Sequence, residues 1–204
     1  MLMFDGVTVL MPVYNGEAYL REAIDSVLNQ TFKNYEFLII DDGSSDRSIE
    51  IINSYNDSRI RLVKNEINLG ITQTLNLGIE LAKYELIARM DADDICVPLR
   101  LQKQYDYFLA NPKIGLLATW ASEFYGDHKE IVYQLNPDYY YYNLACECWI
   151  YHPTVMFKKS AVLEVGKYQY KYCEDYDLWW RLSRKYDLAI IQEPLIHYRY
   201  TDKS

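Results

Sequence analysis

The sequence predicts an α/β protein built on a doubly wound, mostly parallel sheet with helices on both faces. Over the first ~120 of the 204 residues, β-branched and apolar runs alternate with segments of helical periodicity. Polar, turn-forming residues directly follow three of these runs, as they do at the carboxyl ends of strands in open α/β sheets. No linker of low complexity interrupts the chain, so we expect one domain over residues 1–204.

The first elements set the pattern. Residues 7–11 are β-branched and apolar, and Pro12 is expected to end this strand because proline cannot donate to a ladder. A turn at 14–16 precedes helical spacing over 17–30, and a second apolar run covers 35–40. Strand, helix and strand within ~35 residues predict a right-handed, parallel βαβ unit.

The same alternation continues to about residue 120. The segment 41–46 closes the second strand and opens a helix, with Ser45 or Asp46 as its cap. Further predicted elements are the rest of this helix to about 55, a strand at 59–64, a helix at 72–83, a strand that begins at 86, a helix at 98–111 and a strand at 114–120.

After residue 120 the alternation breaks, and the remaining chain is expected to extend the same domain. The predicted elements there are short strands at 130–133 and 155–157, a short helix at 160–165, a helix from 174 to about 186 and a last strand at 188–192. The aromatic-rich segment 137–149 favours neither helix nor strand.

The composition argues against several classes of protein. A net charge of −8 argues against a nucleic-acid-binding surface. No apolar run is long enough to cross a bilayer and no signal-peptide pattern begins the chain, so we expect a cytoplasmic protein. The four cysteines form no C-x-x-C pair, and Cys146, Cys148 and His152 lack the spacing of a zinc site, so buried, reduced thiols are expected.

Three carboxylates crowd the end of the strand that begins at residue 86. Asp91, Asp93 and Asp94 follow the apolar run directly, and this crowding costs free energy unless a cation shares the site. An Asp-x-Asp pair at a strand end suggests Mg²⁺ or Mn²⁺, held by one or two carboxylates with positions left for water or substrate phosphates. The alternative is an acidic turn or helix cap.

The phosphate-binding motifs of two large enzyme classes are missing. Neither G-x-G-x-x-G nor G-x-x-x-x-G-K-[ST] occurs, which argues against a dinucleotide-dependent dehydrogenase and a P-loop NTPase. Instead, the polar segments 12–16, 41–44 and 91–94 should line one crevice at the carboxyl ends of their strands.

A nucleotide would suit this crevice. Asp42 could accept a hydrogen bond from a nucleobase N–H, Tyr14 could stack on the base, and a cation at Asp93 would neutralise a diphosphate. Two alternatives stay open: Asp42 as a turn residue and Tyr14 as an ordinary half-buried aromatic.

Five motifs occur in a fixed order along nearly the whole chain. They are Val-Leu-Met-Pro-Val-Tyr-Asn at 9–15, Asp-Asp-Gly-Ser-Ser-Asp at 41–46, Asn-Leu-Gly at 68–70, Ala-Arg-Met-Asp-Ala-Asp-Asp at 88–94 and Glu-Asp-Tyr-Asp-Leu-Trp at 174–179. In this order they resemble glycosyltransferase family 2, whose members are inverting, metal-dependent, nucleotide-sugar enzymes with the GT-A fold. The resemblance implies a nucleotide-binding half over about 1–120 and an acceptor-side half over about 121–204.

The resemblance also implies a site of three parts. The implied nucleotide-binding residues are Pro12, Val13, Tyr14, Glu17, Asp42, Asn68, Asp91 and Ala92. The implied metal, Mn²⁺ or Mg²⁺, is held by Asp91 and Asp93, with Asp93 as the main ligand. The implied catalytic residues are Asp93 and Asp175, with Asp175 as the base.

The chemistry of inverting transfer supports a carboxylate base. One carboxylate must take the proton of the acceptor hydroxyl while the metal neutralises charge on the leaving diphosphate. Asp175 lies at a predicted helix N-terminus, where the helix dipole favours the ionised form. The choice among Glu174, Asp175 and Asp177 stays open at this point, and each could be a simple first-turn acid.

Further candidates face the acceptor side: His152, Glu174 and Trp180. His152 begins a His-Pro-Thr-Val-Met segment that the family often places there, although a lone histidine is also typical of a structural position. Glu174 could assist the base or orient the acceptor. Trp179 and Trp180 could each pack in the core or form a flat surface on which a sugar stacks.

Two stretches of the second half leave alternatives open. Family members often carry a histidine after the last strand that helps to hold the metal or the diphosphate, whereas Tyr-Arg-Tyr-Thr-Asp stands at 198–202 here. Either His197 is this metal ligand, or Arg199 substitutes, or the contact is absent. The tyrosines at 139–142 could form an acceptor wall, a membrane contact near a lipid-linked acceptor, or a surface helix packed on the core.

The resemblance therefore implies a metal-dependent transferase that uses a UDP-sugar and a glycan or lipid-linked acceptor in polysaccharide synthesis. Because the Gln-x-x-Arg-Trp signature of processive relatives is missing, we expect transfer of single sugars, in the cytoplasm or at the inner face of the membrane. The alternatives are a sugar-phosphate nucleotidyltransferase, which would need a Gly-rich basic loop where 12–16 has none, and a non-catalytic nucleotide-sugar binding module.

Overall fold

One mixed sheet runs through the computed structural model of the protein, which describes residues 4–125, 128–132, 144 and 148–200. The strands are β1 (Val7–Val13), β2 (Tyr35–Asp41), β3 (Ile60–Lys64), β4 (Leu86–Arg89), β5 (Ile95–Cys96), β6 (Ile114–Tyr125), β7 (His128–Val132), β8 (Met156–Lys158) and β9 (Asp187–Arg199). The helices are α1 (Leu20–Leu28), α2 (Ser48–Asn53), α3 (Ile71–Leu81), α4 (Arg100–Ala110), α5 (Lys159–Glu164) and α6 (Glu174–Ser183), with a 3-10 turn at His152–Thr154.

The order of the strands creates a crevice beside β1. The order is β3-β2-β1-β4-β8-β6-β9-β5, and β7 pairs with β6. The first four strands in this order are parallel, while β8 is antiparallel to both β4 and β6. The chain leaves β1 toward β2 and β3 and then returns to β4 on the other side of β1. Ligands of open α/β sheets bind at such a reversal, outside the carboxyl ends of the strands.

The helices cover both faces of the sheet, as a doubly wound fold requires. On one face the core contains α1, α2 and α4, and on the other it contains α3, α5 and α6. Successive strand residues alternate between these cores, so Val9 and Met11 lie in the first and Leu10 in the second. The predicted α/β architecture is correct, with antiparallel pairs confined to the part of the sheet beyond β4.

The prediction that Pro12 ends the first strand is wrong. β1 continues to Val13, and Pro12 lies opposite Ile40 of β2. The carbonyl of Leu10 accepts from the N–H of Met90, so the backbone polar groups of residues 10 and 12 both point toward the β4 side of the strand. Because β4 ends at Arg89, Pro12 faces no partner strand there, and its missing N–H removes no hydrogen bond of the sheet.

Among the boundaries that differ from the predictions, two have local reasons. Helix α1 begins at Leu20 rather than at Glu17, because the chain first makes a turn in which the N–H of Tyr19 donates to the carbonyl of Gly16 (3.1 Å), three residues earlier. β9 continues far beyond residue 192, because irregular pairing with β6 near Trp120 and Pro194 carries the strand past its polar middle.

Several predictions lie partly or wholly outside the described residues. These are the strand residue 133, most of the segment 137–149 and the tyrosines at 139–142. Of the described cysteines, Cys96 is buried as expected, but Cys173 is exposed. Within the described part, no helix is long and apolar enough to cross a bilayer. The single-domain organisation over 1–204, and its division near residue 120, stay predictions.

Candidate active site

A cleft of about 780 Å³ opens at the carboxyl ends of β1, β2 and β4, and we call it the main cleft. It is lined by Pro12, Val13, Tyr14, Asn15, Gly16, Ala18, Tyr19, Asp42, Asn68, Gly70, Ile71, Thr74, Asp91, Ala92, Asp93 and Tyr198. Seven of the eight predicted nucleotide-binding residues are in this lining, and Glu17 is the exception. The strand reversal therefore brings the three polar strand ends together as the sequence predicts.

Side chains from the loop after β2 fix the loop after β1. Asn15 has a positive φ of 50°, a conformation that asparagine tolerates, and its Oδ1 accepts from the N–H of Ser45 (2.9 Å). The N–H of Gly16 donates to Ser48 Oγ (2.9 Å). Glu17 Oε2 accepts from the N–H of Arg47 (3.0 Å). Glu17 thus joins two loops instead of lining the main cleft.

This loop geometry leaves one aromatic ring available in the main cleft. The side chain of Tyr14 is 54% exposed, so the structure supports a stacking face rather than the half-buried alternative. Tyr19 lies in the same lining, with the Arg199 guanidinium 4.3 Å from its ring centroid.

Asp42 organises the loop between β3 and α3. Its Oδ1 accepts from Asn65 Nδ2 (2.7 Å) and from the N–H of Leu69 (2.9 Å), and its Oδ2 accepts from the N–H of Gly70 (2.9 Å). Burial acts to raise the pKa of Asp42, but these hydrogen bonds outweigh it, so the pKa lies below its usual value. The Thr74 side chain lowers this pKa as well, and Asp42 lines the main cleft, where a ligand can approach its carboxylate.

Gly43 allows this loop to approach the end of β2. Its φ is +75°, and an added Cβ would lie 2.8 Å from the backbone carbon of Ile67. A side chain at this position would push the loop away from Asp42, so the Asp-Gly pair couples a ligand-facing carboxylate to a close backbone contact.

The carboxylates of Asp91, Asp93 and Asp94 form an acidic cluster after β4. One oxygen from each lies within 4.8 Å of the others. Burial, and then the charge of Asp91, raise the pKa of Asp93 above its usual value, and the same two causes raise that of Asp94 further. Asp94 was not among the predicted ligands, although the sequence placed it beside them.

The acidic cluster fits a divalent cation. All of its donors are carboxylate oxygens, which Mg²⁺ and Mn²⁺ prefer. Within the described residues, Asp94 Oδ2 is buried and has no hydrogen-bond partner. A cation would provide that partner and relieve the mutual repulsion that raises the two pKa values.

Arg199 closes the acidic cluster from the end of β9. Its N–H donates to Asp94 Oδ1 (2.8 Å), and its Nε donates to the carbonyl of Asp93 (2.7 Å). Tyr198 lines the main cleft, whereas His197 alternates to the other face of the strand, where its Nδ1 is paired with Ser122 Oγ. His197 is not in the acidic cluster, so the structure favours Arg199 over the predicted metal ligand His197.

Two buried arginines hold the strand that carries the cluster. Arg100 is fully buried and donates from Nη2 to the carbonyls of Arg89 (2.8 Å) and Val155 (3.1 Å), and from Nε to Gln104 Oε1 (3.0 Å). Arg89, also buried, forms an ion pair with Asp91. Because Arg89 offsets part of the charge of Asp91, Asp93 and Asp94 are better placed to share a cation.

The first turn of α6 places two acids near Arg89. Burial raises the pKa of both Glu174 and Asp175, although the charge of Arg89 lowers each. Asp175 Oδ1 accepts from the N–H of Tyr176 (2.7 Å). The helix begins at Glu174 as predicted, but burial outweighs the expected effect of the helix dipole on Asp175. A raised pKa brings the carboxylate closer to the range in which a general base works best.

Asp177 does not share this environment. Its Oδ2 accepts from Arg181 Nε (2.9 Å), and Arg181 also donates to the carbonyl of Lys167 (2.6 Å). This ion pair fastens α6 to the turn after α5. Of the three acids that the sequence left open as a base, Asp177 is therefore structural, and Glu174 and Asp175 stay candidates.

Comparison with known sequences identifies the family. The sequence model described as "Glycosyl transferase family 2" matches residues 8–166. The chain belongs to glycosyltransferase family 2. Relatives of this glycosyltransferase include an uncharacterized glycosyltransferase of Methanocaldococcus jannaschii, 37% identical over 97% of this chain and 71% of its own length. The O-antigen biosynthesis glycosyltransferase WbnJ of Escherichia coli is 34% identical over 99% of this chain and 82% of its own length. The amylovoran biosynthesis glycosyltransferase AmsE of Erwinia amylovora is 33% identical over 86% of this chain and 68% of its own length.

Solved structures confirm the GT-A fold of this glycosyltransferase. S. aureus TarS 1–349 in complex with UDP superposes with a TM-score of 0.77 at 19% identity, covering 96% of this chain and 61% of that chain. The mannosyltransferase PcManGT from Pyrobaculum calidifontis, in complex with GDP-Man and Mn²⁺, superposes with a TM-score of 0.75 at 17% identity, covering 100% and 59%. The chain thus spans about three fifths of these two solved structures.

The predicted acceptor-side residues of the glycosyltransferase separate into core and surface. His152 Nε2 is hydrogen-bonded to Tyr168 Oη (2.8 Å), and its ring centroid lies 5.6 Å from that of Trp179. Burial, and then the charge of Arg89, hold the pKa of His152 well below its usual value, so it is a neutral structural residue. Trp179 is fully buried, whereas Trp180 is exposed and stays a candidate for contact with a sugar.

Sequence reasoning missed several residues around the main cleft. Tyr19, Ile71, Thr74 and Tyr198 line it, and no motif marked them. Tyr198 could have been found from strand alternation, because the residue that follows His197 in a strand must face the opposite side.

Proposed function

We propose that the protein is an inverting, metal-dependent glycosyltransferase that moves one sugar from a UDP-sugar to a hydroxyl of a glycan or lipid-linked acceptor. The observation that carries the proposal is the joint presence, in the main cleft, of the exposed aromatic ring of Tyr14, the ionised carboxylate of Asp42 and two members of the acidic cluster. The ring would stack on a nucleobase, the Asp42 carboxylate would accept from a nucleobase N–H, and the acidic cluster would hold a cation that neutralises a diphosphate.

The donor would bind with its base between Tyr14 and Asp42. Tyr14 supplies a stacking face, and the Asp42 carboxylate, which lines the cleft, accepts the N–H of the nucleobase. Pro12, Val13, Asn68 and Ala92 complete the walls. The solved neighbours that carry UDP, UDP-GlcNAc and GDP-Man support a nucleotide sugar as the ligand of this fold.

A divalent cation would be held by Asp93, with Asp91 and Asp94 beside it. When bound, it supplies charge neutralisation for the leaving diphosphate. Arg199 fixes the backbone of Asp93 and the carboxylate of Asp94, so the cluster is oriented before a ligand arrives. The Mn²⁺ in the PcManGT structure supports this assignment for the fold.

Asp175 would be the base. The acceptor oxygen forms the new bond to the anomeric carbon, its proton passes to the Asp175 carboxylate, and the bond to the diphosphate breaks with its electron pair on the leaving group. Attack from the face opposite the leaving group inverts the configuration. Burial keeps the Asp175 carboxyl a better proton acceptor than an exposed aspartate, and Glu174 orients the acceptor.

The names of two relatives support a polysaccharide as the product, since one is named for O-antigen and one for amylovoran biosynthesis. A lipid-linked acceptor would bring the enzyme to the inner face of the membrane, so we propose a cytoplasmic protein with peripheral membrane association. Family membership favours a transferase over a sugar-phosphate nucleotidyltransferase and over a non-catalytic binding module.

Calorimetric titration of UDP and GDP, with and without Mn²⁺, tests the donor site. We expect metal-dependent UDP binding by the wild type, loss of the metal dependence in Asp93→Ala, and unchanged binding in the control Asp187→Ala at the opposite end of β9. Asp175→Asn should bind UDP normally and lose transfer. Absence of nucleotide binding under every condition would overturn the proposal. If GDP binds more tightly than UDP, the proposed UDP-sugar donor would have to be replaced by a GDP-sugar.

A further inference from the structure

Three adjoining cavities share lining residues along one side of the protein. A connecting cavity of about 740 Å³ lies between the residues at 69–73 and those at 169–174, and it shares Gly70 and Ile71 with the main cleft. An aromatic cavity of about 350 Å³ follows, lined by Tyr170, Tyr172, Cys173, Tyr176, Asp177 and Trp180. It shares Tyr170, Tyr172 and Cys173 with the connecting cavity, so the connecting cavity, whose lining includes Glu174, adjoins both the main cleft and the aromatic cavity.

The aromatic cavity exposes large rings that do not contribute to the core. Tyr172 is 76% exposed and Trp180 is 40% exposed. A pyranose presents a face of C–H groups and a rim of hydroxyls, so an aromatic face with polar groups at its edge is complementary to it. Tyrosine hydroxyls and the Asp177 carboxylate supply that polar edge here.

The position of the aromatic cavity follows from the helix that carries the proposed base. Cys173, Tyr176, Asp177 and Trp180 are spaced i, i+3, i+4 and i+7, so they share one side of α6. Asp175 lies on the adjacent side, which leads to the buried Leu178 and Trp179. From Asp175 to Trp180 the helix rises roughly 7.5 Å, which places the aromatic rings beyond the residue that would deprotonate an acceptor.

The wall opposite α6 is rigidly attached to the donor half. Thr72 Oγ1 donates to the carbonyl of Tyr170 (2.5 Å). Asn76 exchanges two hydrogen bonds with the backbone of Tyr168, at 2.8 and 3.0 Å. On the α6 side, Tyr176 Oη donates to the carbonyl of Leu144 (2.7 Å). The aromatic cavity is therefore formed before any ligand binds, as expected for a recognition site.

We propose that the aromatic cavity binds a sugar ring of the acceptor other than the one that receives the new sugar, so that the enzyme extends acceptors of at least two sugar units. This proposal rests on the proposed function, because it takes Asp175 as the base. The lining of the connecting cavity is largely apolar but includes Thr72, Gln73, Gln169 and Glu174. These polar side chains favour a saccharide over an alkyl chain, because an alkyl chain would leave them without hydrogen-bond partners.

Saturation-transfer NMR on the full chain with UDP and Mn²⁺ tests the proposal. The probes are methyl glycosides of lactose, maltose, cellobiose, chitobiose and mannobiose, together with the corresponding monosaccharides. We expect at least one disaccharide to bind more tightly than its monosaccharides, and Trp180→Ala and Tyr172→Ala each to weaken that binding about tenfold. The control is Trp149→Ala, because Trp149 has the same 40% exposure and lines none of the three cavities.

The remaining outcomes contradict the proposal in distinguishable ways. No disaccharide binding at millimolar concentration, or binding unchanged in both aromatic variants, overturns it. Preference for octyl over methyl glycosides irrespective of the sugar assigns the cavity to an alkyl chain and also overturns it. UDP binding without saccharide binding counts against the aromatic cavity alone, whereas saccharide binding without UDP binding counts against the donor site alone.

Discussion

Replacement of Asp42 should weaken the protein and its donor site together. In Asp42→Ala, three donors lose their acceptor: Asn65 Nδ2 and the N–H groups of Leu69 and Gly70. Water from the main cleft can reach this loop, so we assign about 1 kcal/mol to each lost bond and expect a total of about 3 kcal/mol in the free energy of unfolding. This is well below the ~5–15 kcal/mol of a typical domain, and the variant should stay folded.

Asp42→Asn provides the matched comparison. The carbonyl oxygen of the introduced asparagine can still accept from Asn65 and Leu69, but its NH₂ group faces the N–H of Gly70, and two donors cannot bond to each other. We therefore expect a loss in the free energy of unfolding about half as large as in Asp42→Ala. Denaturant midpoints at an unchanged m-value measure both losses, and UDP calorimetry measures the donor site. Glu66→Gln removes a charge from an exposed position of the same loop and should change neither.

Acid provides an independent test of the same carboxylate. The pKa of Asp42 is lowered in the folded protein, so its contribution to stability is complete above the usual value of 3.8 and is lost as the pH falls through the folded value. The stability gap between wild type and Asp42→Asn should therefore close only in strong acid. A change below ~0.5 kcal/mol in Asp42→Ala with normal UDP binding would refute this reasoning.

Three further predictions follow from other buried or crowded groups. Arg100→Met removes the guanidinium that donates to the carbonyls of Arg89 and Val155, and of these the Val155 carbonyl keeps the N–H of Arg89 (3.0 Å). Denaturant unfolding should show a loss of about 2–4 kcal/mol, and a loss under ~1 kcal/mol would contradict the role of this network. Below pH 6.5 His152 is protonated in the unfolded chain but not in the folded protein, so the free energy of unfolding decreases as the pH is lowered. His152→Gln should make the free energy of unfolding depend less on pH between about pH 7 and about pH 5. An unchanged slope would contradict the assignment of His152 as a buried neutral residue. Asp93→Asn removes one of three crowded charges, so the Tm without metal should rise by about 2–4 °C and the added rise with Mn²⁺ should vanish.

The first half of the fold was predictable because its signals are local. The central parallel strands β1 and β2 are largely apolar, since both faces of the sheet are covered there, and each is followed by a polar turn. Pro12 misled the prediction because whether a missing N–H matters depends on where the neighbouring strand ends. That information lies at Arg89, some 77 residues further along the chain.

The sequence predicts which residues lie in the candidate active site, but not which contacts each of them makes there. Strand ends identify Asp42 and Asp93, yet nothing local shows that three hydrogen-bond donors already bind Asp42. Arg199 completes the acidic cluster only because β9 pairs with β6 and β5 in a particular register. The choice between His197 and Arg199 therefore depended on strand pairing, which the sequence does not encode over a short window.

The contact between Arg199 and Asp94 also sets the order in which the protein can mature. The two residues are separated by 105 positions, so a ribosome adding ~5–20 residues per second makes the second one roughly 5–20 s after the first. Strands β1 to β4 can pair during that interval, but the acidic cluster still lacks the arginine that closes it. Most walls of the main cleft are thus translated early, whereas Tyr198 of the same cleft and Arg199 of the acidic cluster are added only when the long strand β9 has been translated and docked.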